Sequence, residues 1–299
     1  MLLTIFTPIF NRVEYIDRLF LTLDKQEVKN FEWIIIDDGS VENIENKVKK
    51  NLQVKHDFPI TFLKQKNSGK QRAINKAVSM AKGKYFFILD SDDLLFTYTT
   101  KKIENWCKDI ESQRDYKKFA GVSGLRITPT KKLLGGTGNG KKVIDATNIQ
   151  RGNYNLWGDM AEVYKTSILR KYPFFVFEGE TFISEAVVWN KVAADGYKIR
   201  WHMEPIYIAE YLSDGLTRNS IKRDATNFKG LIYFTNQSLK LLPFKEKINV
   251  LIHYVDVCDY KKMSNEEISK YVDLKANEVR LVKLIKKAKK LKAIFKTYL

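Results

Sequence analysis

The first ninety residues alternate short, continuous apolar runs with stretches in which apolar residues recur every three or four positions. The runs predict strands at residues 2–7, 31–36, 60–63 and 85–89. Between them, apolar residues at helical spacing predict helices that begin near residues 13, 44 and 70. Because strands and helices alternate at this rhythm, the sequence predicts an α/β fold with a mostly parallel sheet flanked by helices.

The rest of the chain has a less regular pattern. The glycine-rich stretch at residues 135–140 is interpreted as a hairpin tip or a mobile lid, because no strand-then-helix context surrounds it. A last α/β segment is predicted over residues 157–214, and the pattern is helical beyond about residue 222. We therefore predict one domain over residues 1–221, whose halves divide near residue 110, and a helical region over 222–299.

Composition narrows the class of protein. With 44% hydrophobic residues the chain can bury a substantial core. Its two cysteines, Cys107 and Cys258, are far apart, which excludes a disulfide framework and indicates a reducing compartment. The apolar first ten residues lack the basic start and small-residue cleavage site of a signal peptide, and no run is long enough to span a membrane. We expect a cytoplasmic protein, soluble or peripheral on the inner face of the cell membrane.

The net charge is +17, and about half of this excess lies in the last twenty residues, where Arg280 to Leu299 include eight Lys or Arg and no acid. This segment has the pattern of a basic amphipathic helix, which predicts binding to an anionic membrane surface. A terminal helix packed on the protein with a solvated lysine face would give the same pattern, and both interpretations stay open. The apolar face comprises Leu281, Leu284, Ile285, Ala288, Leu291, Phe295 and Leu299.

Polar clusters follow four of the predicted strands. In an open parallel sheet, ligands bind beyond the carboxyl ends of the strands. Convergence of four such ends indicates a binding crevice more strongly than any single motif. The clusters are Thr7 to Arg12, Asp37 to Ser40, Asn67 to Lys70 and Asp90 to Asp93.

The Asp90-Ser91-Asp92 turn carries the candidate metal ligands. Carboxylate oxygens suit Mg²⁺ or Mn²⁺, which commonly take one or two protein carboxylates and complete their shell with phosphate and water. Asp90 and Asp92 are therefore predicted to hold a divalent cation and a diphosphate. A plain polar turn, with Asp93 capping the next helix, is the structural alternative.

Neighbouring clusters supply complementary groups. Asp37 or Asp38 is placed to accept hydrogen bonds from a base N–H or ribose hydroxyls, although a tight turn at Gly39 would also explain the pair. Lys70, with Arg72, begins a helix and can meet the negative charge of a diphosphate. Arg12 offers a further cation.

Taken together, these motifs resemble the family 2 glycosyltransferases, of the kind that builds bacterial surface polysaccharides. Their order and spacing match over roughly the first hundred residues. The resemblance implies a GT-A fold, a UDP-sugar or related donor, Mn²⁺ or Mg²⁺, inversion at the anomeric carbon, and a saccharide acceptor that can be lipid-linked. It assigns the first half of the first domain to the donor and the second half to the acceptor. By residue, it places Pro8, Asn11, Asp37 and Asp38 at the base and ribose, and Asp90 and Asp92 at the ribose and metal.

An inverting transfer also needs a carboxylate that takes the proton from the acceptor hydroxyl. The family usually places it in a Glu-Asp pair that opens a helix. Here the segment 182–190 resembles that region, but Ala186 occupies the Asp position, which leaves Glu185 as the candidate base. Glu178 and Glu180 are rivals, and an acid favoured by the helix dipole is the structural alternative.

Three other functions fit parts of the pattern. A phosphatase of the haloacid dehalogenase type or a nucleotidyltransferase could also use an Asp-x-Asp metal site. The former carries the motif on its first strand, and the latter carries a Gly-rich basic motif that Thr7 to Asn11 do not match. A nucleic-acid-binding module would need a basic stripe with aromatic residues along the body, whereas here the charge is concentrated in the tail. We expect no nucleic acid partner.

Overall fold

The computed structural model of the protein describes residues 1–210 and 219–297, and beyond residue 289 it describes the side chain of Leu291 alone. Residues 211–217, whose sequence also resembles the family 2 glycosyltransferases, lie outside the described residues. The strands are β1 (Leu3–Ile9), β2 (Phe31–Asp37), β3 (Ile60–Lys64), β4 (Tyr85–Ile88), β5 (Leu94–Leu95), β6 (Phe119–Ile127), β7 (Val143–Ala146), β8 (Met160–Lys165) and β9 (Lys198–Ile208). The helices are α1 (Ile16–Asp24), α2 (Ile44–Asn51), α3 (Lys70–Met80), α4 (Thr99–Ser112), α5 (Thr166–Lys171), α6 (Ala186–Ala194), α7 (Ser220–Thr226), α8 (Phe228–Leu241), α9 (Phe244–Tyr260), α10 (Asn265–Tyr271) and α11 (Ala276–Thr297).

All described strands join one sheet in the order β3-β2-β1-β4-β8-β6-β9-β5, with β7 paired to β9. The first four strands of the chain are parallel to one another, as the sequence predicts. In the second half, β8 runs antiparallel to both β4 and β6, while β6 and β9 are parallel. The predicted α/β class is confirmed, and the sheet is mixed because an antiparallel strand separates its two parallel parts.

The core of the sheet explains why its central strands read as continuous apolar runs. Residues of β1 and β2 are buried on both faces, as expected for parallel strands covered by helices on either side. Trp33 is fully buried and packs edge-on against Phe20 of α1, with ring centroids 4.7 Å apart. Its indole N–H donates to Thr7 Oγ1 at 3.0 Å, which satisfies the one polar group that this large side chain buries.

The described residues group into two compact units. One contains Met1–Phe175 and Val188–Leu212, and the other contains Val176–Val187 and Ser213–Leu299. The second unit is helical and has its own core, in which Tyr254 of α9 is fully buried and donates to the carbonyl of Ile268. The predicted domain boundary at residue 221 stays a prediction. Within residues 1–210 and 219–297, no helix is both long and apolar enough to cross a membrane.

The glycine-rich stretch is not a hairpin tip. The hairpin lies upstream, where Ile127 forms an antiparallel bridge with Leu133. Gly135 instead forms an antiparallel bridge with Gly158. Gly158 has a φ of +77°, and a Cβ at this position would lie 2.4 Å from the Leu134 carbonyl oxygen, so only a glycine fits after Trp157. That the stretch acts as a lid stays a prediction.

Candidate active site

The carboxyl ends of β1, β2 and β4 lie at one edge of the sheet because these strands are parallel. The first two ends are joined by hydrogen bonds between their loops. Asn11 N donates to Ser40 Oγ at 2.9 Å, and Val41 N donates to Asn11 Oδ1 at 2.9 Å. Asn11 has a φ of +49°, a left-handed conformation that asparagine adopts more readily than most residues. Pro8, beside Ile36 in the sheet register, lies just before this loop cluster.

Asp37 ends β2 as a fully buried carboxylate. Its Oδ1 accepts a hydrogen bond from Ser40 N at 2.8 Å. Its Oδ2 is buried and accepts no hydrogen bond from the described residues, although Lys64 Nζ lies 3.5 Å away. A buried acceptor of this kind is costly unless a ligand completes it, so Asp37 can receive an N–H or hydroxyl donor.

Asp38 has a different position. Its Oδ1 accepts from Ser68 N at 2.9 Å and its Oδ2 from Gly69 N at 2.7 Å, so it holds the loop that leads into α3. Gly39, with a φ of +80°, makes this approach possible, because a Cβ there would lie 2.4 Å from Asn67 N. The Asp-Asp-Gly-Ser and Asn-Ser-Gly-Lys motifs therefore pack against each other. Asp38 forms the hydrogen bonds that hold them together.

Asp90 is the centre of a charge cluster. Its Oδ1 forms an ion pair with Lys70 Nζ at 2.7 Å, and its Oδ2 lies 3.8 Å from Arg126 Nη1. Burial opposes the charged form, but the two cations hold the pKa of Asp90 below its ordinary value. Its backbone N–H donates to Tyr207 Oη at 3.0 Å, which fixes the turn after β4.

Asp92 and Asp93 add negative charge to this turn. Burial, together with the charge of Asp90, raises the pKa of Asp92, and the nearby Arg12 opposes that shift. Burial and the Asp90 charge also raise the pKa of Asp93, to about 7. Asp93 Oδ1 accepts from Glu210 N at 2.9 Å, so this acid also anchors the end of β9.

The residues of this turn fit a divalent cation that shares its shell with phosphate. Among the described residues, no group of three or more His, Cys, Asp or Glu is placed to hold a metal ion. Such a cluster is not required, because Mg²⁺ at nucleotide sites often uses one or two carboxylates with phosphate and water. Asp90 and Asp92 lie two residues apart in this turn and are both partly exposed, so their carboxylates are the candidate ligands. The cation itself stays a prediction.

The candidate bases lie on the segment Val176–Val187 of the helical unit. Glu178 is exposed, and Glu185 is partly exposed and directly precedes α6. Glu180 is buried, and its two carboxylate oxygens accept from Lys229 N at 2.7 Å and from Gly230 N at 2.8 Å. Because these donors belong to the first turn of α8, Glu180 caps that helix.

Sequence reasoning missed Arg126, Tyr207 and Glu162. Arg126 is partly buried beside Asp90, and its guanidinium lies 4.2 Å from the centre of the Tyr207 ring. These residues belong to β6, β9 and β8, far along the chain from Asp90. Nothing in their local sequence marks them, because the sheet topology alone brings them to the end of β4.

Comparison with protein families agrees with this geometry. Residues 4–111, which include β1 to β4 and the Asp90 turn, match the family described as "Glycosyl transferase family 2". Over these residues the chain is similar to the family 2 glycosyltransferases.

Curated relatives of this domain are also glycosyltransferases by name. The chain is 33% identical over 131 residues to an "Uncharacterized glycosyltransferase" of Rickettsia bellii, an alignment that covers 44% of this chain and 18% of the relative. It is 32% identical over 92 residues to the "Putative teichuronic acid biosynthesis glycosyltransferase TuaG" of Bacillus subtilis, covering 31% and 36%. The chain thus spans well under half the length of the curated relatives that it matches.

Solved structures share the fold of the domain. The S. aureus TarS 1-349 complex with UDP-GlcNAc has a TM-score of 0.61 at 16% identity, covering 94% of this chain and 90% of that one. The mannosyltransferase PcManGT from Pyrobaculum calidifontis, in complex with GDP-Man and Mn²⁺, has a TM-score of 0.58 at 16% identity, covering 87% and 73%. At these identities the likeness establishes the GT-A fold, which confirms the predicted fold class.

Proposed function

We propose that the protein transfers a sugar from a nucleotide-sugar donor, a UDP-sugar, to a hydroxyl of a saccharide acceptor, with inversion and with a divalent metal. The observation that carries this proposal is the edge of the sheet at which β1, β2 and β4 end. There a buried acceptor, Asp37, ends β2, and a charge cluster, Asp90 with Lys70, follows β4, on the other side of β1. Two such sites suit the two ends of a nucleoside diphosphate.

The donor's two polar ends have candidate partners. Asp37 Oδ2 would accept the N–H of the base, since it is a buried oxygen that lacks a hydrogen bond within the described residues. Lys70 and Arg12 would contact the diphosphate, Lys70 from the start of α3. A cation held by Asp90 and Asp92 would stabilise the negative charge that develops on the departing diphosphate. Of the predicted donor residues, Asp38 supports the site indirectly, through the loop before α3.

Glu185 is our choice of catalytic base. Glu180 is occupied as the cap of α8, which leaves Glu185 and the exposed Glu178. The segment before Glu185 is held in place, because Asn227 Oδ1 accepts hydrogen bonds from the backbone N–H groups of Thr181 and Phe182. A base on a braced segment loses little freedom when it meets an acceptor hydroxyl.

A ligand-induced stability screen tests the proposed function. With Mn²⁺ or Mg²⁺ present, UDP or a UDP-sugar at 100 times its Kd is expected to stabilise the fold by about 2.7 kcal/mol, and so to raise the Tm by about 5 °C. GDP- and dTDP-sugars serve as competing donors, and ATP serves as the control for a nucleotidyltransferase. If none of the nucleotides or nucleotide sugars stabilised the protein with either metal, the proposal would be refuted.

The acceptor and the membrane form the second part of the proposal. A lipid-linked saccharide acceptor would place the enzyme at an anionic bilayer, and α11 offers a surface for it. The sequence pattern places Lys283 and Lys286 on the solvated lysine face of this helix. In the structure they instead form ion pairs with Asp259 and Asp256 of α9. The leucines, assigned to a single apolar face, stay exposed: Leu281, Leu284 and Leu291 are each at least 56% accessible.

These exposed leucines give a prediction for membrane binding. Replacing all three with serine is expected to lower the affinity for vesicles containing phosphatidylglycerol at least 10-fold, because each leucine loses apolar burial worth about 1–2 kcal/mol on insertion. Sedimentation with vesicles measures it. Leu21→Ser, at an exposed position on α1, is the matched control. Equal binding of the triple variant and wild type would show that the leucine stripe is not the contact.

A further inference from the structure

Glu162 is a partly buried carboxylate in β8 that neither the sequence motifs nor the proposed donor contacts include. Phe87 of β4 pairs with Val163, and the two strands are antiparallel. Glu162 therefore lies level with the end of β4, the end that leads into Asp90. Its side chain is only 13% exposed, and its nearest cation, Arg151 Nη1, lies 3.9 Å from Oε1. That separation is longer than a hydrogen bond.

The two arginines around Glu162 donate hydrogen bonds to backbone carbonyls. Arg151 donates from Nε and Nη2 to the carbonyls of Leu156 and Gly158. Arg126 donates from Nε to the carbonyl of Met160 at 2.8 Å, and its Nη1 faces Asp90. Both arginines therefore act on Glu162 through their charge more than through direct hydrogen bonds.

The electrostatics of Glu162 agree with this geometry. Burial raises the pKa of Glu162 to about 7, even though the charges of Arg151 and Arg126 oppose that rise. Burial opposes the charged form of Arg126, but three neighbouring groups raise its pKa. The largest of these effects come from Tyr207 and Asp90, and Glu162 is the third. A carboxylate can accept about four hydrogen bonds, and a buried one is stabilised only when donors fill those positions. Within the described residues, the backbone N–H of Glu162 itself is the one hydrogen-bond donor that supports the charged form, so most of this capacity is unused.

We propose that Glu162 binds a hydroxyl of the sugar that is transferred, and thereby sets which nucleotide sugar the enzyme accepts. This inference rests on the proposed function. With the diphosphate held at the Asp90 turn, the sugar attached to it would extend from that turn. Arg126 lies 3.8 Å from Asp90 and also acts on Glu162 through its charge, so both acids belong to one electrostatic cluster. A buried carboxylate on a rigid strand rejects a sugar that lacks a matching hydroxyl, because the carboxylate then stays without its donor.

Isothermal titration with Mn²⁺ tests the proposal on wild type and Glu162→Gln, using UDP alone, UDP-glucose, UDP-galactose and UDP-GlcNAc. Glutamine keeps the shape of the side chain and removes its charge. We expect the variant to bind UDP within about twofold of wild type. We expect it to lose about 10- to 100-fold in affinity for the UDP-sugar that wild type prefers, the loss typical of a hydrogen bond to a charged group. The preference among the three sugars should shrink by the same factor.

Glu111→Gln is the matched control. Glu111 is also a partly buried acid of the sheet unit, but it contacts Tyr85 and Lys84 at the other end of β4. We expect this variant to bind all four ligands like wild type. Equal losses for UDP and the UDP-sugars in Glu162→Gln would overturn the inference and give Glu162 a structural role. Unchanged binding of every ligand would also overturn it. If wild type bound none of the four, the proposed UDP-sugar donor itself would be wrong.

Discussion

Replacing Glu185 with glutamine is expected to reduce the rate of sugar transfer by about 10²–10⁴-fold, the usual contribution of a general base. Glutamine has the same shape but cannot take the proton from the attacking hydroxyl. The donor should bind as in wild type, because the residues assigned to it belong to β1, β2, α3 and the Asp90 turn. The measurement is kcat with a saturating UDP-sugar, together with the Kd of the same donor in the presence of Mn²⁺.

Two neighbouring acids provide the controls for this experiment. Glu178→Gln changes an exposed acid on the same segment and should leave kcat near its wild-type value. Glu180→Gln removes the charge that caps α8, so it should lower the free energy of unfolding by about 1 kcal/mol. Near-normal turnover in Glu185→Gln, with a large loss of kcat in Glu178→Gln, would move the base to Glu178.

The sequence is sufficient to predict the strands of the donor half of the sheet, and the reason is physical. Parallel central strands are buried on both faces, so β1, β2 and β4 appear as mainly apolar runs. Residues with strong turn preferences, such as Gly39, follow these runs, so the positions at which the strands end can also be predicted from the sequence. The amino-acid pattern alone therefore places the polar side chains that follow these strands at one edge of the sheet.

The second half of the sheet is less accessible to the same reasoning. Strand β8 lies between β4 and β6 and is antiparallel to both, an arrangement that no local pattern encodes. It carries Glu162 to the end of β4, and β6 carries Arg126 there. Contacts of this kind depend on the order of strands in the sheet. They join residues more than thirty positions apart, and a periodicity of two or 3.6 residues contains no information about them.

The C-terminal helix shows a further limit of sequence patterns. The apolar and basic residues of α11 separate at helical spacing, which predicts apolar residues on one face and lysines on the other. In the structure Val279 and Val282 are buried, Lys283 is paired with α9, and Leu281 is exposed. Acids on α9 change the outcome, because Asp259 and its neighbour Asp256 neutralise lysines that would otherwise face water. A helix's orientation depends on the element it packs against as well as on its own pattern.

Replacing Asp92 with asparagine is expected to abolish metal-dependent binding of the donor. Asp90 is already engaged by Lys70 at 2.7 Å, so we expect Asp92 to be the carboxylate of the pair that binds the cation more directly. Asparagine keeps the size of the side chain but offers a neutral oxygen, which a divalent cation binds more weakly. Loss of the cation should cost several kcal/mol in transition-state stabilisation, about 10³-fold in kcat/KM.

The measurement compares the Tm rise caused by UDP with Mn²⁺ and with EDTA. Wild type should show the rise with Mn²⁺ and little with EDTA, and Asp92→Asn should show little in either condition. Asp93→Asn is the matched control, because its side-chain oxygen can still accept from Glu210 N and it is not assigned to the metal. A full, Mn²⁺-dependent rise in Asp92→Asn would show that the cation is held elsewhere. Because Glu162→Gln should instead keep the rise with UDP and lose only the sugar's contribution, the two variants separate the metal end of the donor from its sugar end.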